Sequence, residues 1–269
     1  MGEHEAVDRV DDPVTVDALA SDVRGLGVDA GDSILVHSSL SALGWVAGGA
    51  QAVVEALRAT VTAEGTVVVP THTPQYSDPS EWSNPPVPDG WIPTIRESMP
   101  PFRPDVTPSR GVGAVPECLR SYPDAVRGEH PVVSFAALGA DAAAVVTDHG
   151  LDYGLGAGSP LARLYERDAD VLLLGVGHEV NTSLHLAEYR ADVPTEPVTL
   201  RAPVRDDEGR RVTVACEDIE TSTDDFPAVG AAFEREVGLR EGLVGAADAK
   251  LAGVRALVDF AVDWFEANR

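Results

Sequence analysis

Lysine is almost missing from this sequence. Lys250 is the single one among 20 basic residues, and against 44 acidic residues the formal net charge is -24. A surface so negative repels phosphate backbones and anionic headgroups, which excludes nucleic-acid and membrane binding. The acidic residues are scattered rather than gathered in a tail, a composition like that of haloarchaeal cytoplasmic proteins. Adaptation to a salty cytoplasm accounts for that charge, and attraction of a polycationic ligand would call for the same sign. Cysteine is scarce too: Cys118 and Cys216 lie far apart and form no C-x-x-C pair, so neither a disulfide framework nor a zinc ribbon is expected. No run approaches the ~18 consecutive apolar residues of a membrane span. The acidic start, MGEHEAVDRVDD, lacks the basic and apolar parts of a signal peptide, so a soluble cytoplasmic protein is expected.

Several catalytic signatures are also missing. There is no G-x-S-x-G nucleophile elbow and no G-x-x-x-x-G-K-[ST] phosphate loop. Gly25-Leu26-Gly27 precedes a strand where a dinucleotide fingerprint would follow one, and Gly154 to Gly158 has no strand before it. His178-Glu179 begins like a zinc-protease helix, but the next histidine is His185, which breaks the H-E-x-x-H spacing.

What is present reads as α/β. The 269 residues are enough for a substantial core, and one domain spanning 1–269 is expected. Val16, Leu19, Val23 and Leu26 predict a helix over 15–28, and 33–36 is a short apolar strand. A helix over 49–62 and a strand over 66–70 complete a strand, helix, strand unit of the kind that builds parallel sheets. Residues 71–108 are crowded with prolines and aromatics, among them Trp82, Trp91 and Phe102, and predict a long ordered loop covering a site. Beyond it come a helix over 112–121, a strand within 130–139 and a helix over 140–148. Ser159-Pro160 supplies a cap and first-turn proline for a helix over 161–166, and 170–176 is the strongest strand. Partial alternation over 198–205 and 211–216 predicts a hairpin, followed by helices near 228–236 and 247–267. The expected architecture is a central mixed, largely parallel sheet flanked by helices, with a long Pro/Trp-rich loop and a C-terminal hairpin and helices.

Ligand sites in such sheets gather beyond the carboxyl ends of the strands. Three polar clusters lie there: His37, Ser38 and Ser39; Thr71, His72 and Thr73; and His178, Glu179, Asn181, Thr182 and His185. On a helix starting near Asn181, residues Thr182, His185 and Glu188 fall at i, i+3 and i+6 and share one side. A carboxylate beside an imidazole fixes its tautomer and stabilises the imidazolium, as a general base requires. The same spacing fits a helix capped by Asn181 or Thr182 with Glu188 paired to Arg190. His149 suits a helix C-terminus, His130 a turn before Pro131, and His4 a disordered tail.

In these motifs the chain resembles the aminoglycoside 3-N-acetyltransferase family. The carriers are Val36-His37-Ser38-Ser39-Leu40 with Gly44 and Gly48-Gly49; Gly65-Thr66 through Pro70-Thr71; and Thr107-Pro108-Ser109-Arg110-Gly111-Val112-Gly113 with Glu117. They continue with His130-Pro131 through Ser134-Phe135 to Gly139, then Gly158-Ser159-Pro160-Leu161, then Asn181-Thr182 with His185 and Glu188. Six motifs in the expected order cover nearly the whole chain.

The resemblance implies acetyl-CoA as cosubstrate, with no metal. It places the cosubstrate along His37, Ser38, Ser39 and Leu40, with Thr71, Ser109, Arg110, Gly111, Val112, Ser134 and Phe135 contributing. It makes His185 the base that relieves the attacking amine of a proton, Glu188 its orienting partner, and Thr182 a donor to the carbonyl oxygen. The implied acceptor is an aminoglycoside or another small polyamine, for which Glu217, Asp218, Glu220 and above all Asp224 and Asp225 are candidate contacts. A monomer or homodimer is expected. Two other readings stay open from the residues: a metal-assisted hydrolase using His178 and His185, and a non-catalytic CoA-binding protein.

Overall fold

A computed structural model describes residues 3–269. The first half runs α1 (Glu3–Val7), α2 (Val16–Leu26), β1 (Ser33–Ser38), α3 (Gly49–Val61), β2 (Thr66–Pro70), α4 (Ile92–Ser98), α5 (Ala114–Leu119), β3 (Val126–Arg127) and β4 (Phe135–Gly139). The second runs α6 (Ala142–Val146), α7 (Pro160–Glu166), β5 (Asp170–Leu174), α8 (Ser183–Glu188), β6 (Pro197–Arg205), β7 (Arg211–Ile219), α9 (Phe226–Glu236), β8 (Arg240–Val244), β9 (Ala247–Gly253) and α10 (Val254–Asn268).

Local chemistry sets the helix ends. The Thr15 hydroxyl accepts from the Ala18 N–H at 3.2 Å to start α2, and Gly27, at φ 108°, ends it in the left-handed region. The expected Ser159-Pro160 start of α7 is present, with Ser159 Oγ accepting from the Ala162 N–H at 3.4 Å.

Seven strands form one sheet in the order β3-β4-β2-β1-β5-β9-β8. The parallel part is the central trio: β1 pairs with β2, Ile34 opposite Val67, and with β5, Val36 opposite Leu172. Antiparallel pairings extend both flanks. Each strand of the trio has an unbroken apolar stretch, 34–36, 67–69 and 171–174, because both faces are covered. Ile34, Val36, Val67, Val69 and Leu172 pack against α2, α3 and α5, whereas Leu35, Val68, Val171 and Leu173 pack against α6 to α10.

Several segments differ from the sequence reading, among them β3 and β8, where no strand was expected. Residues 247–253, expected to open the last helix, form β9, which pairs along β5 and with β8; the helix starts only at Val254. Within 130–139 the strand starts at Phe135, because the His130 ring turns the chain by accepting from the Val132 and Val133 N–H groups at 3.2 and 3.0 Å. His4, expected in a disordered tail, lies in α1.

The Pro/Trp-rich segment is ordered, as expected. It contains three short 3-10 turns and α4, and Arg96 clamps it internally by a two-pronged bond to Asp78 at 2.8 and 2.7 Å. The β6–β7 hairpin packs on it: Arg211 donates to the Met99 carbonyl at 2.7 Å, and Phe102 N–H donates to Pro203 O at 2.8 Å. Among the described residues no helix is long and apolar enough to cross a membrane.

Candidate active site

Because β1, β2 and β5 run parallel, their carboxyl ends open on one edge of the sheet, and a cavity of about 650 Å³ lies there. Its walls include His37 and Ser38 at the end of β1 with Ser39 and Leu40 beyond it, Pro70 at the end of β2 with His72 beyond it, Gly111 to Ala114, and Val176, Val180 and Thr182 after β5. Ser38 Oγ and His72 Nε2 are shielded from solvent without a hydrogen-bond partner. Such groups favour a ligand that supplies the missing bonds.

His37 is buried, and its Nε2 lies 3.2 Å from Thr182 Oγ1 and 3.4 Å from the Thr182 backbone nitrogen. A backbone N–H can only donate, so Nε2 is the acceptor and the ring proton sits on Nδ1. Burial, reinforced by nearby His185, holds the His37 imidazole down to about 3. His72 is likewise held down to about 3, by burial and then by His185 and the other histidines. Both rings are neutral at physiological pH.

The helix α8 brings the candidate catalytic side chains together. Asn181 caps it: its Oδ1 accepts from the Ser183 N–H and hydroxyl at 3.2 and 2.6 Å, while its Nδ2 donates to His178 Nδ1 at 3.2 Å. Thr182 makes no side-chain cap bond, which leaves its hydroxyl at the cavity. One turn on, His185 Nδ1 donates to Glu188 Oε2 at 2.6 Å. The edge of the His185 ring meets Phe226, with centroids 4.9 Å apart. Glu188 is buried, and its other oxygen accepts from the Ser222 N–H at 3.0 Å and from Arg269 at 2.8 Å. With Nδ1 committed to the carboxylate, Nε2 of His185 is the nitrogen left to take a proton.

His178 does not join this group. Its Nε2 faces Glu234 at 3.2 Å, and Glu234 is also bonded to Lys250. Among the described residues no cluster of three or more His, Cys, Asp or Glu side chains is placed to hold a metal ion.

Several expected cosubstrate contacts lie elsewhere. Thr71, Ser134 and Phe135 are fully buried and do not line the cavity. Thr71 Oγ1 and Ser134 Oγ surround the Arg127 Nε at 3.1 and 3.2 Å, and Phe135 fills the core. Ser109 turns to Glu117, and Arg110 meets the site only through its backbone, whose N–H donates to His72 O at 2.9 Å. Of the expected acidic wall, Asp218 points inward and accepts from the Tyr189 hydroxyl at 2.6 Å. Asp224 is exposed, whereas both oxygens of Asp225 accept from Arg269 at 2.7 Å. The sequence reading missed Trp45 and Val180 at the cavity mouth, and it missed Arg269. Trp45 sits between Gly44 and Gly48, glycines already singled out; Arg269 carries no motif.

Arg127 anchors the loop to the site without a carboxylate bonded to it. It donates to the carbonyls of Thr71 at 2.7 Å, Pro104 at 3.2 Å and Thr107, and its guanidinium lies 5.2 Å above the Phe102 ring. Burial lowers it to about 10, so it remains charged. Arg127→Leu leaves the Pro104 and Thr107 carbonyls without that donor, and Thr71 O with only the Ser134 hydroxyl, at about 1–3 kcal/mol. Limited proteolysis within 71–111 is therefore expected to quicken roughly ten-fold or more in a folded variant. An unchanged cleavage rate would show that other contacts hold the loop.

Comparison with known proteins identifies the family. Residues 35–266 match the sequence pattern of the aminoglycoside 3-N-acetyltransferase family. The chain is 44% identical over 257 residues to the SPbeta prophage-derived aminoglycoside N(3')-acetyltransferase-like protein YokD of Bacillus subtilis, covering 95% of this chain and 94% of that one. It is 40% identical to aminoglycoside N(3)-acetyltransferase VII of Streptomyces paromomycinus, over 99% and 96% of the two chains. The crystal structure of YokD superposes with a TM-score of 0.96 over 98% of each chain, at 42% identity. That of AAC-IIIb in binary complex with CoASH does so with a TM-score of 0.86 over 95% and 97%, at 34% identity. AAC-VIa bound to sisomicin also gives 0.86, over 96% and 99%, at 30% identity. With a family match spanning most of its length and relatives this similar from end to end, the chain belongs to the aminoglycoside 3-N-acetyltransferase family.

Proposed function

We propose that this protein transfers an acetyl group from acetyl-CoA to an amine of an aminoglycoside or a similar polyamine, directly and without an acetyl-enzyme. The observation that carries the reading is the 2.6 Å bond from His185 Nδ1 to the buried Glu188 carboxylate. An amine is largely protonated near neutral pH and must lose a proton before it can attack a thioester. His185 Nε2 is the group that takes it, and Glu188 holds the ring in the tautomer that leaves Nε2 bare.

Acetyl-CoA supplies the activated acetyl group. Ser38, Ser39, Leu40, Gly111 and Val112 line the cavity that would hold it, and the unpaired Ser38 Oγ and His72 Nε2 fit a ligand rich in amide and hydroxyl groups. Thr182 is assigned to the thioester oxygen as it gains charge. Its hydroxyl lies 3.2 Å from His37 Nε2 and would have to turn from that ring to serve. The acidic surface draws a polycation to the site, and exposed Asp224 is a candidate contact. The whole chain acts as one domain, working in the cytoplasm.

Release of the CoA thiol, followed with a panel of aminoglycosides and simple diamines at high salt, tests this. Saturable, amine-dependent release is expected. Tight acetyl-CoA binding with no turnover of any amine would leave a CoA-binding protein instead.

A further inference from the structure

Burying a carboxylate is expensive unless each oxygen is paired. Glu188, 3% exposed, has one oxygen on His185 and the other on Arg269 Nη1 and the Ser222 N–H. Arg269 is itself fixed from two sides. Its Nε and Nη2 form a fork on the two oxygens of Asp225, each at 2.7 Å. Its guanidinium carbon lies 3.7 Å from the centroid of the Phe265 ring. Phe265 stacks on Phe226 at 6.3 Å, and Phe226 meets the His185 ring edge-on at 4.9 Å. The guanidinium thus closes a ring of contacts: one nitrogen on the carboxylate that orients His185, and its flat face on the aromatic stack that supports His185 from the other side.

From this geometry we infer that Arg269 is a positioning residue for the reaction, with Asp225 as its anchor. The inference rests on the reading of His185 as the base. Arg269 places a counter-charge against a buried carboxylate, and it fixes the carboxylate's rotation so that Oε2 faces His185 Nδ1. Three nitrogens in one plane are used at once, which a point-charge ammonium cannot reproduce. Asp225 is then part of this clamp and not of the acceptor pocket.

The test uses the full-length protein at high salt with the best acceptor found. Arg269→Met is expected to lower kcat about 10- to 100-fold, the range for losing a hydrogen bond to a charged group, with KM for both substrates and acetyl-CoA binding nearly unchanged. Arg269→Lys should recover part of the loss, and Asp225→Asn should show a smaller kcat loss of the same kind. Combining Arg269→Met with Glu188→Gln should cost little more than Glu188→Gln alone, because the arginine acts through that carboxylate. If Arg269→Met does not fold, Arg269→Gln, which keeps a donor but no charge, carries the same comparison. Wild-type kcat in a folded charge-removing variant, or losses that multiply fully in the double variant, would overturn the clamp. An active His185→Ala enzyme would overturn the base; an inactive His185→Ala beside a fully active Arg269→Met would overturn the clamp alone.

Discussion

His185→Ala is expected to lower kcat roughly 10²- to 10⁴-fold, the usual worth of a positioned base, with acetyl-CoA affinity kept within about two-fold. No neighbouring group can stand in for it. Two imidazoles line the cavity, His37 and His72, but burial holds both down to about 3. A ring that weakly basic is a poor partner for an ammonium, and His37 Nε2 already faces Thr182. The affinity should survive because His185 is not among the residues lining the cavity. Glu188→Gln should lose most activity but retain some, since it removes the charge and keeps the shape. Steady-state kinetics beside calorimetric titration of acetyl-CoA would decide: near wild-type turnover in His185→Ala removes the proposed mechanism.

Mild acid should unfold the protein. His37, His72, His130 and His149 are held down from 6.5 to about 3, 3, 4 and 3, in each case chiefly by burial. Their folded values lie below those of the unfolded chain, so the unfolded state binds more protons as pH falls. The stability they contribute is fully present above pH 6.5 and is lost progressively toward pH 3 to 4. Each contributes up to about 1.4 kcal/mol per pH unit in that window. Four together remove about 8 kcal/mol by pH 5, comparable to the roughly 5–15 kcal/mol that stabilises a typical domain. Carboxylates titrate mostly below pH 5, so the interval from 6.5 to 5 isolates the histidines. Tryptophan fluorescence at constant high salt is expected to show a cooperative transition between about pH 6 and 4.5. A non-titrating replacement such as His149→Gln should reduce the proton uptake on unfolding. A protein still folded at pH 3.5 would contradict this account.

Much of the fold was legible because its central elements announce themselves locally. Each of the three parallel strands holds an unbroken apolar run, and the Ser159-Pro160 cap follows a local rule. The His185–Glu188 pair was legible for the same reason, since a spacing of three on a helix brings side chains together whatever the remaining fold does. The competing reading was right that Asn181 caps the helix, but Glu188 bonds to His185, Ser222 and Arg269 and not to Arg190. The failures at the site, and the one at β9, are long-range. Residues 247–253 pattern as helix or strand alike, and only pairing along β5 decides. Thr71, Ser134 and Phe135 lie beside the strand ends at the site, yet Thr71 and Ser134 face the guanidinium of Arg127 and Phe135 faces the core. Asp225 read as a candidate acceptor contact until Arg269, 44 positions away, was placed against it.

The two sides of the cavity come from distant parts of the chain. His37 and the loop after β1 lie 145 positions before Thr182, and they meet only when β5 docks in register along β1. During synthesis the wall with Ser38 and Leu40 exists long before any base can reach it. Catalytic competence should therefore appear late and abruptly, with closure of the β1–β5 seam. A break in the chain between β4 and β5 would divide the enzyme into a ligand-binding half and a proton-transfer half, neither active until the two reassociate.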